Sequence, residues 1–407
     1  MAFGNKSSDT INRHDIENAS NSVPKPKSNH YEVFNKIYSI NLFYGTVVGL
    51  SIESSWKYNN GTRWTKFMLI FGTGITIYSH LLVITEPTKL IEVFSLFGII
   101  IPAFAKFNLF VRTYSNAMAF SAFLRNVFKT ITEGPSAFVL QTHVEATFTI
   151  VKLCIFVQTF ALFVFVWYPI YSYIFNNELV PIMPMQFPFV DQTTTGGFIV
   201  AALMMLKMGV WAYFGSVGFD LFLASLIDNY CALVKLLQQD LSDYIRISRK
   251  GSGYSEQYKK AFFRNFLMKC QDKDRFIQLV NDAYADVIFK QFGMVYVCLN
   301  FTIYAIIRSN WYSGYGILLF GLTELYILCI LGTAIKTEND NFSAAVYDIP
   351  WYEYPLTEQK KVLLLLHSSQ NAMELWIGPV APLNVESAME ITKSIYSTST
   401  MIINTTE

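Results

Sequence analysis

The sequence has little that could do chemistry. Charged residues make up only 15% of the 407, and there are five histidines, all isolated (His14, His30, His80, His143, His367). No glycine-rich phosphate loop, dinucleotide turn, metal-binding His pair or nucleophile elbow is present. Five cysteines, an odd number, are scattered at Cys154, Cys231, Cys270, Cys298 and Cys329. They give neither a disulfide framework nor a metal pattern and are read as small buried apolar side chains. The first 35 residues are polar and lack the charge, apolar core and cleavage pattern of a signal peptide. They are expected to stay in the cytosol. The net charge is +1, which excludes a nucleic-acid partner on electrostatic grounds. No enzymatic activity, metal or cofactor is expected.

What is abundant is apolar: 52% of residues are hydrophobic and 16% aromatic. That is the composition of an integral membrane protein. Seven stretches reach the roughly 20 apolar residues that cross a bilayer. They are Trp64–Thr85, Leu90–Val111, Val151–Phe175, Gly196–Phe219, Phe289–Ile307, Gly314–Ala334 and Leu383–Asn404. An eighth, Ile37–Ile52, is shorter and broken by Asn41, Gly45 and Gly49, and is read as an interfacial or re-entrant helix. The expected fold is therefore all-α, with seven transmembrane helices.

Lysine and arginine orient the bundle. Seven precede the first span, three (Arg112, Arg125, Lys129) follow the second, ten run from Lys235 to Arg275, and Lys336, Lys360 and Lys361 follow the sixth. The alternate connections hold Lys89, none, and Arg308. The bias places the N-terminus in the cytosol and the C-terminus outside, opposite to a G-protein-coupled receptor. Under that topology Asn5, Asn18 and Asn60, which begin glycosylation sequons, stay unmodified.

The expected organisation is a cytosolic tail (1–36), a membrane bundle of six spans with cytosolic helices at 227–288 (37–334), a cytosolic anchor segment (335–382), and a last span with a short outer tail (383–407). Asp228–Arg249 and Tyr254–Phe289 look like long amphipathic helices joined at Lys250–Gly253. Thr357–Trp376 looks like another. Spans 4, 5 and 6 are thus expected to continue into the cytosol and pack on the segment before span 7. No internal repeat supports an inverted-repeat transporter.

The last span carries the sharpest pattern. At 100° per residue, Glu386, Glu390, Lys393, Ser397, Thr400 and Asn404 fall within about 80° of one another. Such a stripe is not tolerated against lipid, because ionisable groups in hydrocarbon cost several kcal/mol. It faces either water, which requires several copies around an axis, or other helices of its own bundle. Ser387, Thr392, Ser394, Thr398 and Ser399 lie off the stripe and blur it. Elsewhere, Lys207 and Glu324 lie near the middle of spans 4 and 6, and their simplest partners are each other. Lys106 and Asp220, nearer the cytosolic ends, are read as reaching water.

The outer halves of spans 2 to 6 are rich in large apolar groups with a few polar ones. Phe94, Phe97, Ile101, Phe163, Trp167, Tyr168, Met204, Met205, Asn300 and Tyr304 are candidates for lining a small-molecule pocket. Rings supply dispersion, methionine adapts its fit, and amides and hydroxyls orient a ligand. The bland reading of each is bundle core or interfacial anchor.

The C-terminal third resembles a known family. Ala345-Val346-Tyr347-Asp348-Ile349-Pro350-Trp351-Tyr352 is similar to the segment after span 6 of insect odorant receptors. It is followed by the leucine-rich Val362–Leu366, then Pro382-Leu383-Asn384, then Ile391-Thr392-Lys393-Ser394-Ile395-Tyr396-Ser397. The resemblance implies a subunit of a tetrameric, odorant-gated, non-selective cation channel in the plasma membrane of a sensory-neuron dendrite. Such a subunit pairs with a common coreceptor and binds a small volatile ligand amid membrane lipid. It implies that the last span lines the pore, with the gate near Met401 and Asn404 and with Ser397 and Thr400 deeper. Glu386 and Glu390 would then stand at the cytosolic mouth, with Lys393 on the same wall. The coreceptor's long insertion between spans 4 and 5 is missing, which points to a tuning subunit. Two alternatives remain at this stage. A gustatory-type channel is disfavoured because no Gln-Phe follows Tyr396-Ser397, and a metabotropic seven-helix receptor is disfavoured by the charge bias.

Overall fold

The computed structural model describes residues 29–49, 60–131, 133–249 and 256–406. Within them the regular secondary structure is helical apart from one two-stranded ribbon. The helices are α1 (His30–Val47), α2 (Asn60–Leu82), α3 (Pro87–Ser95), α4 (Phe97–Thr130), α5 (Pro135–Tyr171), α6 (Thr195–Arg249), α7 (Glu256–Ser309), α8 (Gly314–Tyr347), α9 (Leu356–Gln370) and α10 (Val385–Thr406). All seven apolar stretches fall on these helices. Five are long and apolar enough to cross a membrane by length and composition alone, in segments beginning at Lys89, Pro135, Thr195, Gln257 and Gly314. The helices α2 and α10 are more polar and fall below that standard.

Three differences from the sequence reading concern boundaries. Residues 30–36, expected in the mobile tail, already belong to α1. The His30 ring bonds the Phe128 carbonyl at 2.8 Å, and Phe34 stacks on Phe128 at 4.4 Å. Buried residues at a spacing of three and four (His30, Phe34, Ile37, Asn41, Tyr44) seat α1 against α5 and α6. It is thus a packed helix of the bundle; Ser51 and Ile52, the end of that candidate stretch, lie outside the described residues. Span 2 is broken at Leu96, where the chain turns between α3 and α4, and Pro102 supplies no N–H to the turn that follows. The Thr357–Trp376 helix stops at Gln370. Trp376–Ile377 instead pairs antiparallel with Ala381–Pro382, turning at Gly378 with φ +54°. This ribbon docks on α7, where the Trp376 N–H donates to Asn281 Oδ1 at 2.9 Å and the Gly378 N–H to Ala285 O at 3.1 Å.

The expected helical continuations beyond the apolar stretches are present, though the Lys250–Gly253 link lies outside the described residues. The helices α6 and α7 run unbroken for 55 and 54 residues. One core joins them to α8, α9 and α10. Tyr230, Leu241, Phe266, Ile277, Phe342 and Val362 are all buried in it. The Tyr230 hydroxyl donates to Asn339 Oδ1 at 2.7 Å, fixing α6 to α8 inside that core.

The Asn176–Thr195 connection is more than a short link. Its apolar residues Ile182, Met183, Met185 and Phe187 turn inward and join a second cluster with Ile75, Phe165, Met205 and Trp311. The Ser79 hydroxyl staples it to α2, receiving the Gln186 N–H at 2.8 Å. Asp191 then accepts from the Thr193 hydroxyl and N–H at 2.6 and 3.0 Å, and these bonds hold its carboxyl below the ordinary carboxylate range. Thr194 caps α6 by accepting the Gly197 N–H at 3.2 Å.

Candidate functional site

The amphipathic α10 is seated by α7 and α8. Its entry is narrow: Gly332 of α8 lies against the Leu383 carbonyl, where a Cβ would have no room. The Thr333 hydroxyl then receives the Val385 N–H at 3.0 Å, and Asn384 Oδ1 caps the helix by accepting the Ser387 N–H at 2.8 Å.

The two faces of α10 separate cleanly. Ala388, Ile395 and Ser399 are buried, half a turn from the charged stripe. Every stripe residue is exposed: Glu386, Glu390, Lys393, Ser397, Thr400 and Asn404, with Met401 on the flank at 66%. None of the three charges makes an ion pair among the described residues. The stripe therefore does not pack inside its own bundle, which removes one of the two readings left open by periodicity.

The hydroxyls that blurred the pattern are explained by the opposite face. Thr398 Oγ1 lies 2.7 Å from Tyr296 OH, and Thr392 Oγ1 lies 3.2 Å from Tyr326 OH. The Ser399 hydroxyl donates to Asn300 Oδ1 at 2.9 Å, while Asn300 Nδ2 returns to the Tyr296 carbonyl at 2.8 Å. These bonds fasten α10 to α7 and α8. Sequence reasoning assigned Asn300 to a ligand pocket, whereas it is spent on the clasp. Tyr296 and Tyr326 were missed. The available signal was the set of off-stripe hydroxyls, which need partners if one face of the helix is buried.

The proposed pocket set is not brought together as one group. Met204 and Met205 sit in the cluster closed by the folded-back loop, with Met205 fully buried. Phe94 meets Phe301 at 4.9 Å and Phe97 at 5.7 Å, and His80 leans on both. Tyr168 meets Tyr312 at 4.8 Å. Phe163 and Trp167 contact each other but are about half exposed on the outside of α5, and Ile101 is also exposed. Tyr304 is half-buried. The loop residues Met183, Met185 and Phe187 enter the same cluster as Met205, and the sequence reading passed over them.

The Lys207–Glu324 pair is corrected. Lys207 is exposed and lies over the Trp64 ring at 5.6 Å. Glu324 is buried against Lys106 at 3.2 Å, and Lys106 also holds Asp220 at 2.9 Å. Lys106 and Asp220 do not reach water as expected; both are almost wholly enclosed. The outward position of Lys207 lets its long, flexible stem snorkel, while Lys106 points at the bundle axis.

Against known proteins, the profile described as 7tm Odorant receptor matches residues 86–396. Odorant receptor 47a of Drosophila melanogaster is 26% identical over 157 residues, 35% of this chain and 38% of that protein. Odorant receptor 10 of Aedes albopictus is 24% identical over 176 residues, 42% and 45% of the two chains. A further Drosophila melanogaster relative is matched at 23% identity over 58% of its length, so the chain spans about half the length of the curated relatives it matches. The solved olfactory receptor OR5 of Machilis hrabei superposes with a TM-score of 0.75 over 92% of this chain and 99% of that one, at 11% identity. The same receptor is known in complex with eugenol, with the same TM-score. The match at that identity shows the fold. The family profile covers most of the chain, and this multi-pass membrane protein belongs to the odorant receptor family.

Proposed function

We propose that this chain is a tuning subunit of an odorant-gated, non-selective cation channel. It works in a tetrameric assembly with a coreceptor, in the dendritic plasma membrane of a sensory neuron, with its N-terminus in the cytosol. The observation that carries this reading is the direction of the α10 stripe. Charged and polar side chains point away from their own bundle, which suits a water-filled axis shared with other copies. Glu386 and Glu390 would concentrate cations at one mouth, and Met401 with Asn404 would form the narrow outer end. The clasp of Tyr296, Tyr326 and the buried Asn300 gives ligand-driven shifts in α7 and α8 a direct route to the pore helix. A small volatile ligand is best accommodated around Met204 and Met205, beneath the folded-back loop, with Phe94, Phe97 and Tyr168 nearby. Eugenol bound by the Machilis receptor supports a ligand of that class.

The test is whole-cell current from cells expressing this chain with an insect coreceptor, and each alone, against a broad volatile panel. A ligand-evoked cation current needing both chains supports the proposal. Current whose selectivity is unmoved by Glu390→Gln and Asn404→Ala would refute the pore assignment.

A further inference from the structure

The channel reading makes no use of the charges buried between α4, α6, α7 and α8. Lys106 Nζ donates to Ser216 Oγ at 2.8 Å, Asp220 Oδ2 at 3.0 Å and Glu324 Oε1 at 3.2 Å, with Asp220 Oδ1 in ionic contact only, at 2.9 Å. An ammonium has three donors, so these oxygens exhaust it. Gln291 Nε2 donates to the other Glu324 oxygen at 3.3 Å. The Phe219 ring closes the site, 5.6 Å from Nζ. All three charged side chains are at least nine-tenths enclosed.

The charges do not balance. Two carboxylates face one ammonium, and neither Asp220 nor Glu324 has another cationic partner among the described residues. Fully ionised, the site would hold a net charge of −1 at bilayer depth. An uncompensated charge there costs several kcal/mol. The other titratable groups near the site are the thiols of Cys154 in α5 and Cys298 in α7, and neither is a cation. Both carboxyl groups lean on the same ammonium, at 2.9 and 3.2 Å, which holds two like charges close together, and such charges resist this.

A second observation points to what is missing. Asp220 Oδ1 and Gln291 Oε1 are buried acceptors without a hydrogen-bond donor. Gln291 is 1% exposed, and its amide is already turned to Glu324. Buried acceptors are rarely left unpaired. One proton on a carboxyl removes the excess charge and supplies a donor. A metal cation fits less well, because the ammonium already sits at the point where the oxygens converge.

We propose that the Lys106–Asp220–Glu324 centre is a proton-binding site that retains one proton between its two carboxyl groups at neutral pH. The proton comes from water and adds to a carboxylate oxygen. The centre is then neutral as a whole, with one ammonium, one carboxylate and one carboxylic acid, and it ties four helices at one point.

Infrared difference spectroscopy of the full-length chain purified at neutral pH tests this. A protonated-carboxyl C=O band that shifts in D2O is expected in the wild type. Asp220→Asn and Glu324→Gln each mimic the protonated acid, so each should reach the surface within about twofold of wild type. Loss of the band in either amide variant identifies it. A wild-type spectrum with no such band, or a band that persists in both variants, overturns the proposal. Failure of both amide variants to reach the surface also overturns it, since that would mean both negative charges are required. A sodium-dependent spectrum without the band would assign the site to a metal cation instead.

Discussion

Two polar regions of this molecule obey opposite rules. Around Lys106 every charge is enclosed and finds its partner within the chain. Along α10, Glu386, Glu390 and Lys393 are exposed and find none among the described residues. The first pattern is that of a group needed for one subunit to fold. The second is that of a surface completed by other copies or by water. Charge in a transmembrane segment is therefore no single signal, and the direction of the side chain decides its meaning.

The comparison can be broken hardest at Lys106. Lys106→Met leaves carboxyl groups without their counter-ion and should destabilise the fold by about 3–5 kcal/mol, read as lost surface expression. Lys207→Met, at the exposed position first assigned as the partner of Glu324, should change stability by no more than about 0.5 kcal/mol. Equal losses from both would contradict the geometry. Next comes the seat of α10. Gly332→Val drives side-chain atoms into the Leu383 carbonyl and should cost about 1–3 kcal/mol, measured as a fall in detergent melting temperature.

The clasp comes third. Ser399→Ala leaves Asn300 Oδ1 buried without its donor, at a cost of about 1–3 kcal/mol. It should shift the odorant concentration for half-maximal current while leaving ion selectivity unchanged. Stripe variants such as Glu390→Gln should do the reverse, altering selectivity with stability unmoved, because Glu390 is exposed and forms no ion pair among the described residues. The smallest effect is expected at the exposed Asp191. Its carboxyl is depressed in the folded state, so its contribution is present above the ordinary carboxylate range and fades as pH falls through that range. Asp191→Asn should remove that acid-side slope from a melting-temperature profile, leaving a small deficit at neutral pH that vanishes at acid pH.

Much of the fold was legible because hydrophobic length and periodicity are strong signals. The seven stretches, the helical continuations beyond them and the α10 stripe all came from local pattern. What was missed depends on long-range pairing. The partner of Glu324 is 218 positions away, and depth along the chain does not say which of two lysines turns inward. The Trp376–Pro382 ribbon is too short to show a strand period. Its edges are satisfied by Asn281 and Ala285, which no local window includes. Aromatic content alone also could not sort Phe163 and Trp167, which point outward, from Phe165, which points in.

The unbroken helices α6 and α7 carry a mechanical consequence. At 1.5 Å per residue, 55 and 54 residues span roughly 80 Å, against a hydrocarbon layer of about 30 Å. Well over half of each rod stands clear of lipid, so the end remote from its apolar stretch is not pinned at a headgroup boundary. A thinner or thicker bilayer can then be met by tilt or axial slip, as hydrophobic mismatch theory describes, without exposing a frayed terminus. The same continuity removes any hinge at the membrane surface, so a change of tilt inside the bilayer is swept into a larger lateral displacement at the far end of the rods.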